Sequence, residues 1–454
     1  MAEPQTSINY DFPSIHENQE LLYESYTSSQ DSAIRVEISD VEKSGEYFLT
    51  GILRRCNQQV LKPYWRLLLF IGWRPFARDR VLHPSSCKCW NVLYPLLITC
   101  LLVFSYAYDI LVCVSAPVLE STVYDPQSGS LANATTPFRK NLCHNMFSIV
   151  IMPSCLHFLA FLYGFWYIRT QENEQIYALI EQVFLQANSK ARGSVTQATV
   201  IKSLRFILFC GAVWTFAALG INVLYVRAFG FANVTIATNR NELLTASLLV
   251  IDLVGSTIQH LINTAIVVNF TVQCEVIIYY MRIIGTRMQE KSSELRTIMN
   301  DILRVKQSIS RLNGPIANMT SLSIFYFSLR FIIGLCLLIL NDDRRLVVWS
   351  YWSTYCLIWF VIMVCPLFQA ARVNATCDMY KQEGHEVKVF GYLSSTQVEL
   401  DSFLLFITSA KLKVKLFCMP IKKSYICGVF IIGLLSLAIL LLTKVIKPVD
   451  TLFF

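Results

Sequence analysis

Four polar residues recur at helical spacing inside an otherwise apolar stretch: Asp252, Ser256, Gln259 and Asn263, separated by 4, 3 and 4 positions, with His260 beside them. One face of a helix is therefore polar along its length. Hydrocarbon cannot satisfy such groups, so the face must turn toward other helices. Two uses follow from that. The stripe lines a polar pocket for a small molecule, or it makes interhelical hydrogen bonds that only hold a bundle together. Arg330 stands in the next apolar stretch. At 1.5 Å per residue, Asp252 and Arg330 lie roughly 13 and 15 Å from the same end of their helices. A lone buried charge costs several kcal/mol, so matched depth predicts an ion pair, which a charged or sugar-like ligand would contest. Trp349, Trp352, Tyr355 and Trp359 follow at spacings of 3, 3 and 4. Trp352 and Tyr355 would give such a pocket its stacking surface, with plain packing as the alternative. The predicted ligand-binding set is Asp252, Ser256, Gln259, His260, Arg330, Trp352 and Tyr355. Asp109 is read as reaching interfacial water, and His157 as a satisfied interior histidine.

Nothing in the chain points to catalysis. It holds no GxSxG, HExxH, phosphate-binding glycine loop or paired Cys-x-x-Cys. Asp252 and His260 differ by about 80° around a helix, too far for one reactive constellation. Cys87-x-Cys89 has no second pair at zinc spacing, so no metal and no cofactor are expected.

The elements that must position these residues are membrane helices. Of 454 residues, 54% are hydrophobic and 15% charged, where soluble chains carry about a quarter charged. The composition predicts an all-α polytopic protein with seven spans, at 90–114, 144–168, 203–228, 243–272, 316–340, 346–371 and 425–443. With span-end arginines included, the Lys and Arg totals of successive flanks run 8, 2, 5, 2, 7, 2, 8 and 2. Basic loops stay cytoplasmic, so the N-terminus is placed in the cytoplasm and the C-terminus outside the cell. Asn133 and Asn233 lie in N-x-[ST] sequons on the predicted outer loops. The net charge of +8 sits beside the spans and gives no reason to expect nucleic acid.

Residues 1–50 carry ten acidic and two basic side chains, which predicts a disordered cytoplasmic tail. Residues 51–89 are basic and amphipathic and predict a membrane-surface helix ending near Pro75. A six-helix sensing bundle is expected over 90–371, a cytoplasmic loop and anchor helix over 372–424, and a short outer tail over 444–454. Leu295, Ile298, Ile302, Val305, Ile309 and Leu312 form an a/d seam suited to packing on other cytosolic helix extensions or on a second subunit.

The C-terminal quarter reads Phe403-x-x-Phe406, Leu412, Leu416-Phe417-Cys418-x-Pro420-Ile421-x-x-Ser424, then an uncharged span from Tyr425 to Leu442 followed by Thr443. With the predicted topology, it resembles the insect gustatory and odorant receptor superfamily. The resemblance is architectural over 54–443 and motif-like from Phe403 to Thr443. It implies a tetrameric ligand-gated cation channel in the plasma membrane, a homotetramer or a hetero-oligomer with related receptors, opened by a small extracellular molecule. It further implies a cytosolic anchor helix before the last span, over Thr396–Lys415, and a pore lined by that span. Ile432, Leu435, Ile439, Leu442, Thr443 and Lys444 are the pore candidates. The family commonly ends in Thr-Tyr, five hydrophobic residues and Gln-Phe; here Lys444 follows Thr443 and only the threonine matches. Four copies of Lys444 facing an axis would oppose cations, whereas a lysine that snorkels to headgroups would not. The alternatives are a non-channel or light-sensing receptor on the same scaffold, then a transporter or a G-protein-coupled receptor. The last lacks support because no acidic-Arg-Tyr ends the third span and no Asn-Pro-x-x-Tyr lies in the last.

Overall fold

The computed structural model describes residues 57–75, 85–122, 146–170, 197–229, 242–340, 345–392 and 395–425, with isolated positions at 54, 180 and 183 and several between 427 and 438. The fold set out below lies in one compact unit, Arg55–Phe454. The described residues form nine α-helices: α1 (Lys62–Phe70), α2 (Ser85–Thr122), α3 (Met152–Thr170), α4 (Gln197–Phe229), α5 (Glu242–Gln289), α6 (Leu295–Arg311), α7 (Ala317–Leu340), α8 (Leu346–Phe390) and α9 (Gln397–Ser409). A two-stranded hairpin follows, β1 (Lys415–Leu416) and β2 (Met419–Pro420).

Six stretches are long and apolar enough to cross a membrane, carried by α2, α3, α4, α5, α7 and α8. The seventh predicted span, 425–443, lies largely outside the described residues. So do its pore candidates Ile432, Ile439, Leu442, Thr443 and Lys444, the sequons Asn133 and Asn233, and the predicted tails. Leu435 is described and exposed.

α5 is the axis of the bundle. It packs against α2, α4 and α8, while α7 packs against α3 and α8. It runs unbroken for 48 residues, well past the apolar part of its sequence. Small residues allow close approaches between the helices. A Cβ at Gly255 would stand 2.7 Å from the Ser105 Cβ, and one at Gly334 would stand 2.8 Å from the Tyr355 ring. In a bilayer, helix association depends on such close packing rather than on a hydrophobic driving force.

The basic end of the bundle is built from helix extensions. The a/d seam of α6 is buried within the chain itself, from Leu295 to Leu312, against α5 and α9. Gly314 leaves helical geometry and Pro315 follows it, so the chain turns from α6 into the membrane helix α7. α1 is shorter than the predicted surface helix. It ends at Phe70 because Gly72 takes φ +78°, and residues from Ser85 already belong to α2. The turn drives Trp73 inward against Phe161, ring centroids 6.2 Å apart, and the Tyr94 hydroxyl donates to the Phe70 carbonyl at 2.5 Å. The segment is thus keyed into α2 and α3 as well as amphipathic.

The anchor helix predicted over Thr396–Lys415 needs correction. A capping box starts it, with Glu399 N donating to Thr396 Oγ1 and Thr396 N to Glu399 Oε2. It stops at Ser409. Beyond it, Lys411-Leu412-Lys413-Val414-Lys415-Leu416 alternates with a period of two, which suits extended chain. Leu412, Val414 and Leu416 are buried. Phe417 and Cys418 then both take positive φ, 53° and 62°, the backbone that a two-residue hairpin turn requires.

Candidate ligand site

The polar stripe of α5 faces its neighbours as its spacing predicts. Ser105 Oγ on α2 donates to Asp252 Oδ1 at 2.8 Å, and Gln259 Nε2 donates to the same Ser105 oxygen at 3.3 Å. Asn222 Nδ2 on α4 donates to Ser256 Oγ at 2.8 Å. The first three stripe residues therefore bind α2 and α4 together, and the close approach at Gly255 makes the Ser105 contact possible.

Arg330 sits elsewhere. Its Nε donates to the Tyr326 hydroxyl at 3.3 Å, and its guanidinium carbon lies 5.6 Å from that ring's centroid. Tyr355 on α8 and Asp109 on α2 lie within electrostatic reach of it. Among the described ion pairs, none joins Asp252 to Arg330. Asp109 on α2 is the carboxylate within electrostatic reach of Arg330, without forming a described ion pair with it. Matched depth does not fix direction around the helix, and Asp252 faces α2, whose Ser105 packs closely on Gly255. Asp109 is half-buried and belongs to this charge cluster, rather than only to interfacial water.

The aromatic residues form a chain of ring contacts through the six described spans. Tyr106 on α2 meets His157 on α3, with its hydroxyl 2.5 Å from Nδ1. His157 lies 5.1 Å from Tyr326 on α7, and Tyr326 lies 5.4 Å edge-on to Trp359 on α8. Trp359 touches Trp214 on α4 at 6.0 Å, and Trp214 touches His260 on α5 at 5.9 Å. Trp352 and Tyr355 extend the chain along α8, their rings 5.8 Å apart, with Tyr355 6.0 Å from Trp359. Of the predicted ligand residues, His260, Trp352 and Tyr355 belong to this chain of rings and Arg330 lies over Tyr326, whereas Asp252 and Gln259 meet Ser105 and Ser256 meets Asn222.

Polar atoms remain unmatched within it. His157 Nε2, His260 Nδ1 and both amide atoms of Asn263 are buried with no hydrogen-bond partner among the described residues. Asn263 lies beside His157 without meeting it in hydrogen-bond geometry. A buried polar group left unpaired costs about 1–3 kcal/mol. A water molecule or a hydroxyl-bearing ligand among these atoms would offset that cost. His157 is thus only half satisfied.

Neither a protein-family model nor a curated protein matches the sequence. Solved structures do match. The insect olfactory receptor OR5 from Machilis hrabei in complex with eugenol aligns with a TM-score of 0.55 at 11% identity, covering 85% of this chain and 98% of that one. A second structure of the same receptor aligns with a TM-score of 0.55 at 12% identity, covering 84% of this chain and 97% of that one. The chain has the insect olfactory-receptor fold. At this identity the likeness concerns architecture.

Within the olfactory-receptor fold, sequence reasoning missed Ser105, Tyr106, Asn222, Trp214 and Tyr326. Tyr326 carried a usable signal, since it stands four residues before Arg330 on the same helix face. A second polar centre at the basic end was also missed. Glu275 of α5 is buried and accepts hydrogen bonds from Ser203 of α4 at 3.1 Å, from Arg372 of α8 at 2.9 Å and from Gln369. Its signal was one carboxylate just past an uncharged run on a helix without a break.

Proposed function

We propose that this protein is a gustatory-receptor-like chemoreceptor, a ligand-gated ion channel of the plasma membrane opened by a small extracellular molecule. The observation that carries the reading is the fold shared with an insect olfactory receptor over 98% of that receptor's chain. Seven spans, a cytoplasmic N-terminus, an extracellular C-terminus and glycosylation at Asn133 and Asn233 complete the topology. The assembly is a homotetramer, or a hetero-oligomer with related receptors. The final span lines the pore through Ile432, Leu435, Ile439, Leu442 and Thr443.

The ligand sits against Arg330, Trp352, Tyr355, Gln259 and His260. The unpaired nitrogen atoms of His157 and His260 and the Asn263 amide favour a compact molecule with a flat apolar face and one or two hydroxyls. The eugenol bound by the structural neighbour is of that general kind. The test is whole-cell recording from cells expressing the chain, under a panel of sugars, phenols, bitter compounds and light. A ligand-evoked current that Tyr355→Ala or Arg330→Gln shifts in dose supports the reading. Binding without current at normal surface expression supports a non-channel receptor, and a current evoked by light alone supports a photoreceptor.

A further inference from the structure

At the basic end, Lys306 of α6, Lys381 of α8 and Lys411, Lys413 and Lys415 of the extended segment surround one cavity of about 750 Å³. No acidic side chain among the described residues lines it, and Asn313, Asn318 and Ser310 supply the remaining polar groups. None of the five lysines belongs to a described ion pair; the one lysine that does is Lys388, paired with Asp401.

The three lysines of the segment do not converge by chance of side-chain placement. Along Lys411–Leu416 burial alternates, with Leu412, Val414 and Leu416 buried, so the three lysines share the opposite side. Two asparagines hold that backbone in place. Asn313 donates to the Lys413 carbonyl at 2.8 Å and accepts from Lys415 N at 2.7 Å. Asn374, buried in α8, donates to the Val414 and Ile421 carbonyls at 2.9 Å and accepts from Val414 N at 2.7 Å. Lys381 and Lys413 are themselves half-buried. Like charges gathered around one cavity repel one another, and a multiply charged anion relieves that repulsion. The cavity borders Ala317 and Asn318, where the apolar helix α7 begins, so it lies at membrane-boundary depth. Basic pockets at that depth suit phosphorylated headgroups.

We infer that this cavity binds an inositol carrying several phosphates, as a phosphoinositide headgroup or as a free inositol polyphosphate. Charge-assisted hydrogen bonds from the lysines would hold the phosphates, and Asn318 and Ser310 would meet ring hydroxyls. The site is independent of the ligand reading above, since it needs neither a current nor a sensory ligand.

The test uses the purified full chain. Inositol hexakisphosphate is titrated in detergent while melting temperature and binding heat are followed, and nanodiscs with and without phosphatidylinositol 4,5-bisphosphate form the second arm. The expected result is saturable binding that weakens steeply with salt. It should fall at least tenfold in the triple variant Lys411→Gln/Lys413→Gln/Lys415→Gln and in Lys381→Gln. An unchanged elution profile shows that these variants fold. Saturation by the free hexakisphosphate assigns a soluble ligand; response to the lipid alone assigns a headgroup. The proposal is overturned if neither binds, if the folded variants bind like the parent, or if sulfate at equal ionic strength stabilises the chain as well.

Discussion

Arg372 Nη1 stands 2.9 Å from Glu275 Oε2 and ties α8 to α5 at the end of the bundle where both helices leave their apolar stretches. Arg372 also donates to Gln369 Oε1 at 3.0 Å, so three side chains share one buried carboxylate. Removing a single partner of a buried pair costs about 3–5 kcal/mol, because the remaining charge is left uncompensated. Arg372 is partly open to solvent, which favours the low end. Arg372→Met should therefore lower the melting temperature of detergent-solubilised protein by several degrees, and Glu275→Gln by less, since the amide keeps some bonds. Fluorescence-detected size exclusion after heating measures both.

The arrangement around Arg330 predicts which acid matters to it. In double-mutant cycles read by thermal stability, Arg330→Gln should couple to Asp109→Asn by about 1–3 kcal/mol. Its coupling to Asp252→Asn should be smaller. Asp252→Asn should instead couple to Ser105→Ala. Equal coupling of Arg330 to both carboxylates would remove the assignment of Asp109.

Much of this was legible beforehand. The 4, 3, 4 spacing from Asp252 to Asn263 is enough to turn those residues inward, because lipid cannot satisfy them. The six apolar stretches begin and end within a few residues of their helices' apolar parts, and the seam from Leu295 to Leu312 is buried as its heptads require. Which residue meets which was not legible. The contact of Asp252 with Ser105 depends on a glycine one turn away that admits Ser105. The extended Lys411–Leu416 segment depends on two asparagines distant in sequence, although its period-two alternation was open to view.

The glycine contacts should be intolerant of growth. Gly255→Val would press on Ser105 and break its bond to Asp252. Gly334→Ala would press on the Tyr355 ring. Overpacking of this kind costs about 1–3 kcal/mol. Surface expression and melting temperature should fall in both, and Gly334→Ala should also shift the dose of any ligand that stacks on Tyr355.

Glu383, on the extension of α8, gives a pH dependence. Burial, and then the neighbouring Glu386, raise its pKa above the ordinary carboxylate value. The folded state therefore holds this proton more tightly than the unfolded chain does, so stability falls as pH rises through the interval between the two pKa values. Above that interval the penalty is fully present. Glu383→Gln should raise the melting temperature at neutral pH and flatten its slope just above the usual carboxylate range. A variant with the parent's slope would show that another group carries it.

Lys444→Tyr, with reversal potentials measured in asymmetric salt, tests the outer mouth. A lysine just past a span reaches the headgroups, so the cation-to-anion permeability ratio should stay unchanged. A shift toward cations on substitution would put the lysines on the conduction axis.

α5 runs for 48 residues without a break, which makes it a rod roughly 70 Å long. A rod of that length acts as a lever. A tilt of about 3° around its middle moves each tip by roughly 2 Å. The arm near Asp252 and the arm near Gln289 move in opposite senses, and the Glu275–Arg372 tie makes α8 follow. A ligand that wedges the helices apart by the width of a single methyl group can thus be felt on the far side of the membrane with no helix bending or melting.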